Sequence, residues 1–179
     1  IYCDSRSNCY QIDHFDTVRG KENALSILEQ ELFRKKNKGV VGIGSMSDTY
    51  NPLEKVYEQT RGALKLLSKY AFGVSIDTKS DLITRDIDLL KQISMKNNVI
   101  IKLTITTPDD DLSKKIEPDV CVSSRRFQAI RTLADNGIFA GIIMNPVLPF
   151  ITDKQEDIIK LIEYAHSAGA KFIHTYMGV

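Results

Sequence analysis

The strongest constraint on the fold of this chain is a series of five short runs of apolar and β-branched residues. A longer stretch with helical spacing joins each run to the next. The runs span residues 40–44, 72–76, 99–105, 138–144 and 171–176. Strands so continuously apolar are typical of a parallel sheet that is buried on both faces. Between them apolar residues recur three and four positions apart, as at Leu25, Leu28 and Leu32. The sequence therefore predicts an α/β domain built from βα units.

Two parallel architectures accommodate such a series, a doubly wound sheet and an α/β barrel. Right-handed crossovers are common to both, so handedness does not decide between them. A doubly wound sheet concentrates its functional polar groups near one switch point. Here polar residues follow almost every predicted strand, as in a barrel whose site lines the carboxyl ends of its strands. We therefore expect an incomplete barrel.

Size and charge limit the classes of protein to which the chain can belong. Its 179 residues suffice for one domain with a sizeable core. The 24 basic and 23 acidic residues nearly cancel, which argues against a general nucleic-acid footprint. No apolar run approaches the roughly 20 residues of a membrane span, and three cysteines indicate intracellular thiols rather than a disulfide framework. We expect a soluble cytoplasmic protein with no membrane partner.

The polar segments at the predicted strand ends carry a resemblance to a known family. They span residues 2–4, 44–54, 78–81, 103–110, 117–118 and 144–150. In this order they resemble the radical S-adenosylmethionine (radical SAM) enzymes, specifically the branch related to spore photoproduct lyase, and the likeness runs along residues 1–179. The resemblance implies a TIM-like partial (β/α)6 barrel that lacks its first strand. Residues 1–179 would then form a radical SAM core domain that is incomplete at its N terminus.

The resemblance also implies two cofactors, a [4Fe-4S] cluster and S-adenosyl-L-methionine (SAM). Family members hold the cluster through three cysteines spaced C-x3-C-x2-C, and the third lies in a Tyr-Cys-Asp context like that of Cys3. Cys3 would be this third ligand, with the first two absent. We expect the family reaction, cleavage of SAM to methionine and a 5′-deoxyadenosyl radical, with electrons from a donor such as flavodoxin or ferredoxin. Since one cysteine cannot replace three, we expect this polypeptide alone to be inactive.

Four implied cofactor-binding residues follow the first two predicted strands. The resemblance assigns Ser45, Ser47 and Asp48 to the methionine amino group of SAM, and Lys79 to its carboxylate. Hydroxyls and a carboxylate can accept hydrogen bonds from an ammonium, and a lysine can pair with a carboxylate. The residues by themselves leave other interpretations open. The first turn could be an ordinary capping turn, and Lys79 could be solvated or a Schiff-base nucleophile.

Four further cofactor-binding residues follow the later strands. By analogy with the family, Thr104 and Thr106 would bind the carboxylate or ribose of SAM, although threonines suit strands in any case. Arg126 matches an arginine that contacts the cofactor in relatives, whereas Arg125 points about 100° away on a helix. Asn145 belongs to a proline-containing loop that would frame the adenine edge.

Most other residues with metal-binding or catalytic potential receive structural interpretations. Cys121 is best explained as a packed thiol, and the acidic run 109–111 as a helix-capping turn. Cys3 and Cys9 could form a disulfide or a two-ligand site, but neither suits an intracellular chain. The histidines are too scattered for a metal triad; they are His14, His166 and His174.

Three functions compete at this point. A radical SAM enzyme leads. A lyase or aldolase barrel with Lys79 as the Schiff base is a second hypothesis, and a non-catalytic scaffold is a third. Spore photoproduct lyase acts on a thymine dimer in DNA, so a photoproduct-repair-like role is open. The near-neutral charge and the absence of Trp argue against assigning DNA as the substrate, and the sequence names no other.

Overall fold

A five-stranded parallel sheet organises the part of the chain that the computed structural model describes, residues 17 and 20–175. Its strands are β1 (Val40–Ile43), β2 (Gly73–Thr78), β3 (Val99–Thr104), β4 (Ala140–Met144) and β5 (Ile173–Thr175). Each strand coincides with one of the five predicted runs, which confirms the α/β class.

Within the described residues, one helix precedes β1, and helices occupy every connection between the strands. They are α1 (Ala24–Arg34), α2 (Glu54–Tyr57), α3 (Gln59–Lys69), a 3₁₀ helix (Asp81–Asp86), α4 (Ile87–Ser94), α5 (Asp110–Ile116), α6 (Ser123–Asp135) and α7 (Gln155–Ser167). The Asp109 carboxylate accepts hydrogen bonds from the backbone N–H groups of Asp111 and Leu112. This N-cap confirms the capping interpretation of the acidic run. Among the described helices, none has the length and apolarity needed to cross a membrane.

The order of the strands separates the two candidate architectures. It is β1-β2-β3-β4-β5, with every neighbouring pair parallel. A doubly wound sheet requires a point at which the order reverses, and these five strands contain none. With right-handed crossovers, an unreversed order places successive helices on one face of the sheet. The arrangement is consistent with a partial barrel, and closure into a barrel stays a prediction.

The two faces of the sheet differ in burial. One face is apolar and buried, with Val74, Ile76, Ile101, Leu103 and Ile142 at its centre. Each such side chain stabilises the fold by about 1.5–3 kcal/mol. The other face, which we call the open face, is only half-buried over much of its area and carries Ser75, Asp77, Lys102, Thr104 and Ile143. The structure thus differs from the expected sheet buried on both faces, because polar residues alternate with apolar ones in β2 and β3.

Gly44 fixes how the turn after β1 meets β2. Its φ is +94°, and a Cβ at this position would lie 2.1 Å from the carbonyl oxygen of Asp77. Any side chain would therefore collide with the backbone of the neighbouring strand. At Gly42, two residues earlier, an added Cβ would have no other atom within 4 Å. Gly44 permits a close approach of the two chain segments.

The first prediction compares alanine at these two glycines. Gly44→Ala should lower the free energy of unfolding by at least roughly 1–3 kcal/mol, because it adds backbone strain and a collision with β2. Gly42→Ala should leave it unchanged or raise it by up to about 1 kcal/mol. Urea unfolding of both variants measures the difference. Equal midpoints would contradict the close approach seen at Gly44.

Candidate functional site

The Asp48 carboxylate joins the loop after β1 to the end of β2. Its Oδ1 accepts hydrogen bonds from the Tyr50 backbone N–H at 2.9 Å and from the Thr78 hydroxyl at 2.7 Å. Its Oδ2 accepts one from the Lys79 backbone N–H at 2.7 Å. Two neighbouring strand ends are therefore held together by one side chain. The predicted contact of Asp48 with a ligand ammonium stays a prediction, since these three donors already engage both oxygens.

Glu117 lies between two cationic side chains at the same edge of the sheet. Its Oε1 is 3.1 Å from Lys79 Nζ, and its Oε2 is 2.7 Å from Arg126 Nη1. The side chains of Glu117 and Arg126 are buried, at 5% and 1% exposure, whereas Lys79 is 31% exposed. One carboxylate thus faces two cations, and the more accessible cation is the residue expected to bind the carboxylate of SAM. The family resemblance includes the segment 117–118 but assigns no role to Glu117, and the sequence does not predict these two contacts.

The Arg126 guanidinium extends this cluster to β3. Its Nε donates to the Cys121 carbonyl at 2.7 Å, and its Nη1 donates to the Thr104 carbonyl at 2.8 Å. Its Nη2 is buried and has no hydrogen-bond partner within the described part of the chain. Arg125 instead pairs with Asp81 near the surface. The side chains of Arg125 and Arg126 thus point in different directions, as their helical spacing predicts. A contact of Arg126 with the cofactor stays a prediction.

Direct contacts bring together four of the nine predicted site residues. Asp48 bonds to Lys79, Lys79 pairs with Glu117, Glu117 pairs with Arg126, and Arg126 bonds to the Thr104 carbonyl. Within residues 20–175, the other four predicted site residues have no hydrogen bond to this chain of contacts. Ser45 and Ser47 are exposed in the turn after β1, Thr106 is buried just beyond β3, and Asn145 is half-buried after β4. Cys3 lies outside the described residues.

Five buried side-chain atoms have no hydrogen-bond partner within the described part of the chain. Asp77 Oδ1 lies within β2 and is in an ion pair with Lys102. The other four lie in segments that follow β1, β3 and β4: Thr49 Oγ1, Ser123 Oγ, Asn145 Oδ1 and Arg126 Nη2. An unsatisfied buried polar group costs about 1–3 kcal/mol, so native structures keep few of them unless they serve a bound molecule. Both donors and acceptors occur in this set, which fits a polar ligand carrying groups of both kinds.

A second network of charged side chains contacts the loop after β1 through Tyr50. Asp86 is fully buried and accepts hydrogen bonds from Arg61 at 2.5 Å, from Arg85 at 2.9 Å and from the Tyr50 hydroxyl at 3.0 Å. The Glu54 carboxylate accepts from Arg85 at 2.8 Å. Burial, with the Asp86 charge adding to it, raises the pKa of Tyr50 far above its ordinary value, so its hydroxyl remains a donor. Tyr50 is therefore buried within this network.

Glu54 also caps a helix in this network. Its two oxygens accept hydrogen bonds from the backbone N–H groups of Thr60 and Arg61, at 3.0 and 3.2 Å. These groups lie in the first turn of α3, where backbone N–H groups have no partner within the helix. The sequence did not indicate this network, since its members are separated by up to 36 residues.

The remaining cysteine and histidine side chains of the described region do not form a metal site. No group of three or more His, Cys, Asp and Glu side chains there could hold a metal ion. Cys121 is half-buried two residues before α6, and its Sγ donates to the Lys79 carbonyl at 3.1 Å. This supports the interpretation of Cys121 as a packed thiol. His174 is exposed and pairs with Ile143 on the open face.

Comparisons with known proteins show what the whole sequence is similar to. The family model described as the Radical SAM superfamily matches residues 1–162. An uncharacterized protein of Methanocaldococcus jannaschii is 35% identical over 156 residues, covering 85% of this chain and 57% of its own length. An uncharacterized protein of Mycobacterium tuberculosis is 27% identical over 176 residues, covering 94% of this chain and 52% of its own.

A third relative is an uncharacterized protein of Acidianus two-tailed virus, 30% identical over 105 residues, covering 58% of this chain and 34% of its own length. This chain thus spans about half the length of the first two relatives. No solved structure matches it.

The second prediction concerns Glu117. Glu117→Gln should lower the free energy of unfolding by roughly 3–5 kcal/mol, because it leaves the buried Arg126 without its counter-charge. Glu58→Gln is a matched control. Glu58 is half-exposed at 4.0 Å from Arg85, so its loss should change stability by less than about 1 kcal/mol. Denaturant unfolding measures both, and equal stability of the two variants would contradict the role of Glu117.

The third prediction concerns the Cys121 thiol. Burial raises its pKa above the ordinary value, with Arg126 partly opposing the shift. Because the thiolate is the reactive form, Cys121 should react with iodoacetamide at pH 8 more slowly than a free cysteine, and it should reach the rate of free cysteine in urea. A protein with Cys3 and Cys9 replaced by Ser isolates this thiol. Labelling at the same rate in buffer and in urea would contradict the prediction.

Proposed function

The chain belongs to the radical SAM superfamily, and from that premise we propose that it forms the SAM-binding core of an enzyme that cleaves SAM reductively. Members of the superfamily use SAM together with a [4Fe-4S] cluster. The side chains proposed to surround SAM are Ser45, Ser47, Asp48, Lys79, Thr104, Thr106, Arg126 and Asn145.

The chain of contacts from Asp48 through Lys79 and Glu117 to Arg126 carries this proposal. It gathers residues from four separate loops and helices at the carboxyl ends of β1, β2 and β3, where α/β enzymes place their ligands. Lys79 is the more accessible of the two cations that contact Glu117, so its ammonium is the one that would pair with the carboxylate of SAM.

The unpartnered polar atoms fit the same ligand. Arg126 Nη2 is a donor, and Asn145 Oδ1 is an acceptor. The ammonium, carboxylate and adenine groups of SAM supply complementary donors and acceptors. The cluster, once bound, would supply the electron that splits the bond between sulfur and the 5′ carbon of SAM. The residues described here would bind and orient SAM and exclude water from it.

Several finer assignments complete the proposal. Cys3 would be one ligand of the cluster, and residues 1–179 would form the radical SAM core domain. The unreversed strand order supports a partial (β/α)6 barrel. We assign the chain to the branch that resembles spore photoproduct lyase, supplied with electrons by a flavodoxin or ferredoxin. A substrate in DNA receives little support, since basic and acidic residues nearly balance.

A Schiff-base mechanism at Lys79 is less well supported. The amino group that would attack a carbonyl compound instead forms an ion pair with Glu117 at 3.1 Å. Treatment with borohydride and a panel of aldehydes and keto acids separates the hypotheses. Radical SAM chemistry predicts no covalent adduct at Lys79, and an adduct found there by peptide mass spectrometry would favour the lyase hypothesis.

Anaerobic reconstitution of the full-length protein tests the proposed function directly. After addition of dithionite, it should convert SAM to methionine and 5′-deoxyadenosine, measured by chromatography. A Cys3→Ser protein should fail to do so and should lose the brown absorbance of the cluster. A reconstituted protein that holds about four irons and binds SAM but releases no 5′-deoxyadenosine would contradict the proposal.

The fourth prediction concerns the SAM carboxylate. Lys79→Ala should weaken SAM binding by roughly 1.5–3 kcal/mol, since it removes a charged hydrogen bond, and the domain should remain folded. Lys65 is exposed on the outside of α3, so Lys65→Ala should bind SAM as the wild type does. Calorimetry on the reconstituted full-length proteins measures both. Equal affinity for wild type and Lys79→Ala would remove Lys79 from the site.

A further inference from the structure

An ion pair on the open face of the sheet has no part in the proposed cofactor site. Asp77 of β2 and Lys102 of β3 are direct cross-strand partners, and their side chains form a salt bridge. Each side chain keeps about a quarter of its surface exposed, at 27% and 26%. A charged pair in the middle of a sheet costs desolvation energy that surface residues avoid. Its position therefore calls for a functional explanation.

Two stacked aromatic rings, those of Phe139 and Phe172, lie beside this ion pair. Lys102 is the cross-strand partner of Gly141. A Cβ on Gly141 would lie 2.7 Å from ring atoms of Phe172, so the ring of Phe172 occupies the space above Gly141. Phe139 stacks on Phe172, with ring centroids 5.4 Å apart and planes inclined by 23°. The open face thus presents a flat apolar surface next to a donor and an acceptor.

The ion pair lies close enough to the proposed cofactor site for a substrate to contact both. Thr104 lies two residues after Lys102 on β3, and Lys79 lies two residues after Asp77. At about 3.3 Å per residue, the ion pair is roughly 7 Å along the strands from the residues proposed to bind SAM. A small molecule seated on the pair would therefore be adjacent to bound SAM.

The charges select the kind of group that can bind. Lys102 would attract an anion and Asp77 would repel it. A cation would be attracted by Asp77 and repelled by Lys102, so the ion pair as a whole favours neither charge. An uncharged amide suits both residues, because its N–H can donate to the Asp77 carboxylate while its C=O accepts from the Lys102 ammonium. The ring of Phe172 adds stacking for a planar group.

We propose that Asp77, Lys102 and Phe172 form a recognition site for a planar, uncharged substrate group that carries adjacent amide N–H and C=O groups, such as a carboxamide or a lactam. The assignment of this group as a substrate rests on the proposed function. Its binding does not, because Asp77, Lys102 and Phe172 are not among the residues proposed to hold SAM.

Three probes of similar shape test the site: nicotinamide, the anion nicotinate, and the cation 3-(aminomethyl)pyridine. Binding to the ¹⁵N-labelled protein is followed by NMR. Wild type should bind nicotinamide best, with shifted amide signals around residues 75–78 and 100–104. Each single variant leaves one charge unpaired. Lys102→Met should therefore prefer the cation, and Asp77→Leu should prefer the anion, each by about tenfold or more, the equivalent of about 1.4 kcal/mol.

Two further variants control for folding and for general charge effects. Asp77→Leu with Lys102→Met removes both charges together. It should remain folded, since replacing an ion pair by apolar residues is often neutral, and it should bind none of the probes. Lys160→Met removes an exposed lysine of α7 and should behave as the wild type does. A preference for nicotinate in the wild type, unchanged preferences in the single variants, or shifts elsewhere in the protein would each overturn the proposal.

SAM cleavage by the same proteins separates this inference from the proposed function. Unaltered cleavage together with the predicted change in probe preference supports both. Probe preferences that do not change while SAM is still cleaved overturn the recognition site alone. The predicted probe preferences in a protein that binds SAM without cleaving it would support the site and contradict the radical SAM activity.

Discussion

The carboxylate of Asp48 is the contact on which the geometry of this strand edge depends. It accepts one hydrogen bond from its own loop and two from the end of β2. Gly44 makes this possible, because only a residue without a side chain lets the loop lie against Asp77. The two features together fix the position of the Lys79 backbone. The Lys79 side chain then extends from a defined point towards Glu117.

Glu117 determines the electrostatic character of the site. By pairing with Arg126 it allows a guanidinium to be buried, and by pairing with Lys79 it orients the accessible ammonium. Lys79 is the more exposed of the two cations, so its ammonium is the group that the carboxylate of the proposed ligand SAM would reach. A fixed ammonium at this point would orient SAM as well as bind it.

The sequence predicts the strands well and the charged contacts only in part. Continuous apolar runs identify the sheet, and the position of Lys79 directly after β2 places it at the carboxyl edge of the sheet. Glu117 directly follows α5, 13 residues after the end of β3, and its contacts with Lys79 and Arg126 depend on how α5 and α6 pack. Arg61 and Asp86 are 25 residues apart and lie in polar stretches that resemble solvated helix surfaces. Such contacts depend on how helices pack, which local periodicity does not encode.

The network of Arg61, Arg85, Asp86 and Glu54 has a consequence for behaviour on heating. Charged groups become less costly to remove from water as temperature rises, whereas stabilisation by apolar burial levels off. This network connects α3 and the 3₁₀ helix to each other, and the Tyr50 hydroxyl joins it to the loop that carries Asp48. The edge of the sheet that holds the proposed cofactor site should therefore lose its order later on warming than the apolar helix contacts on the far side of the domain.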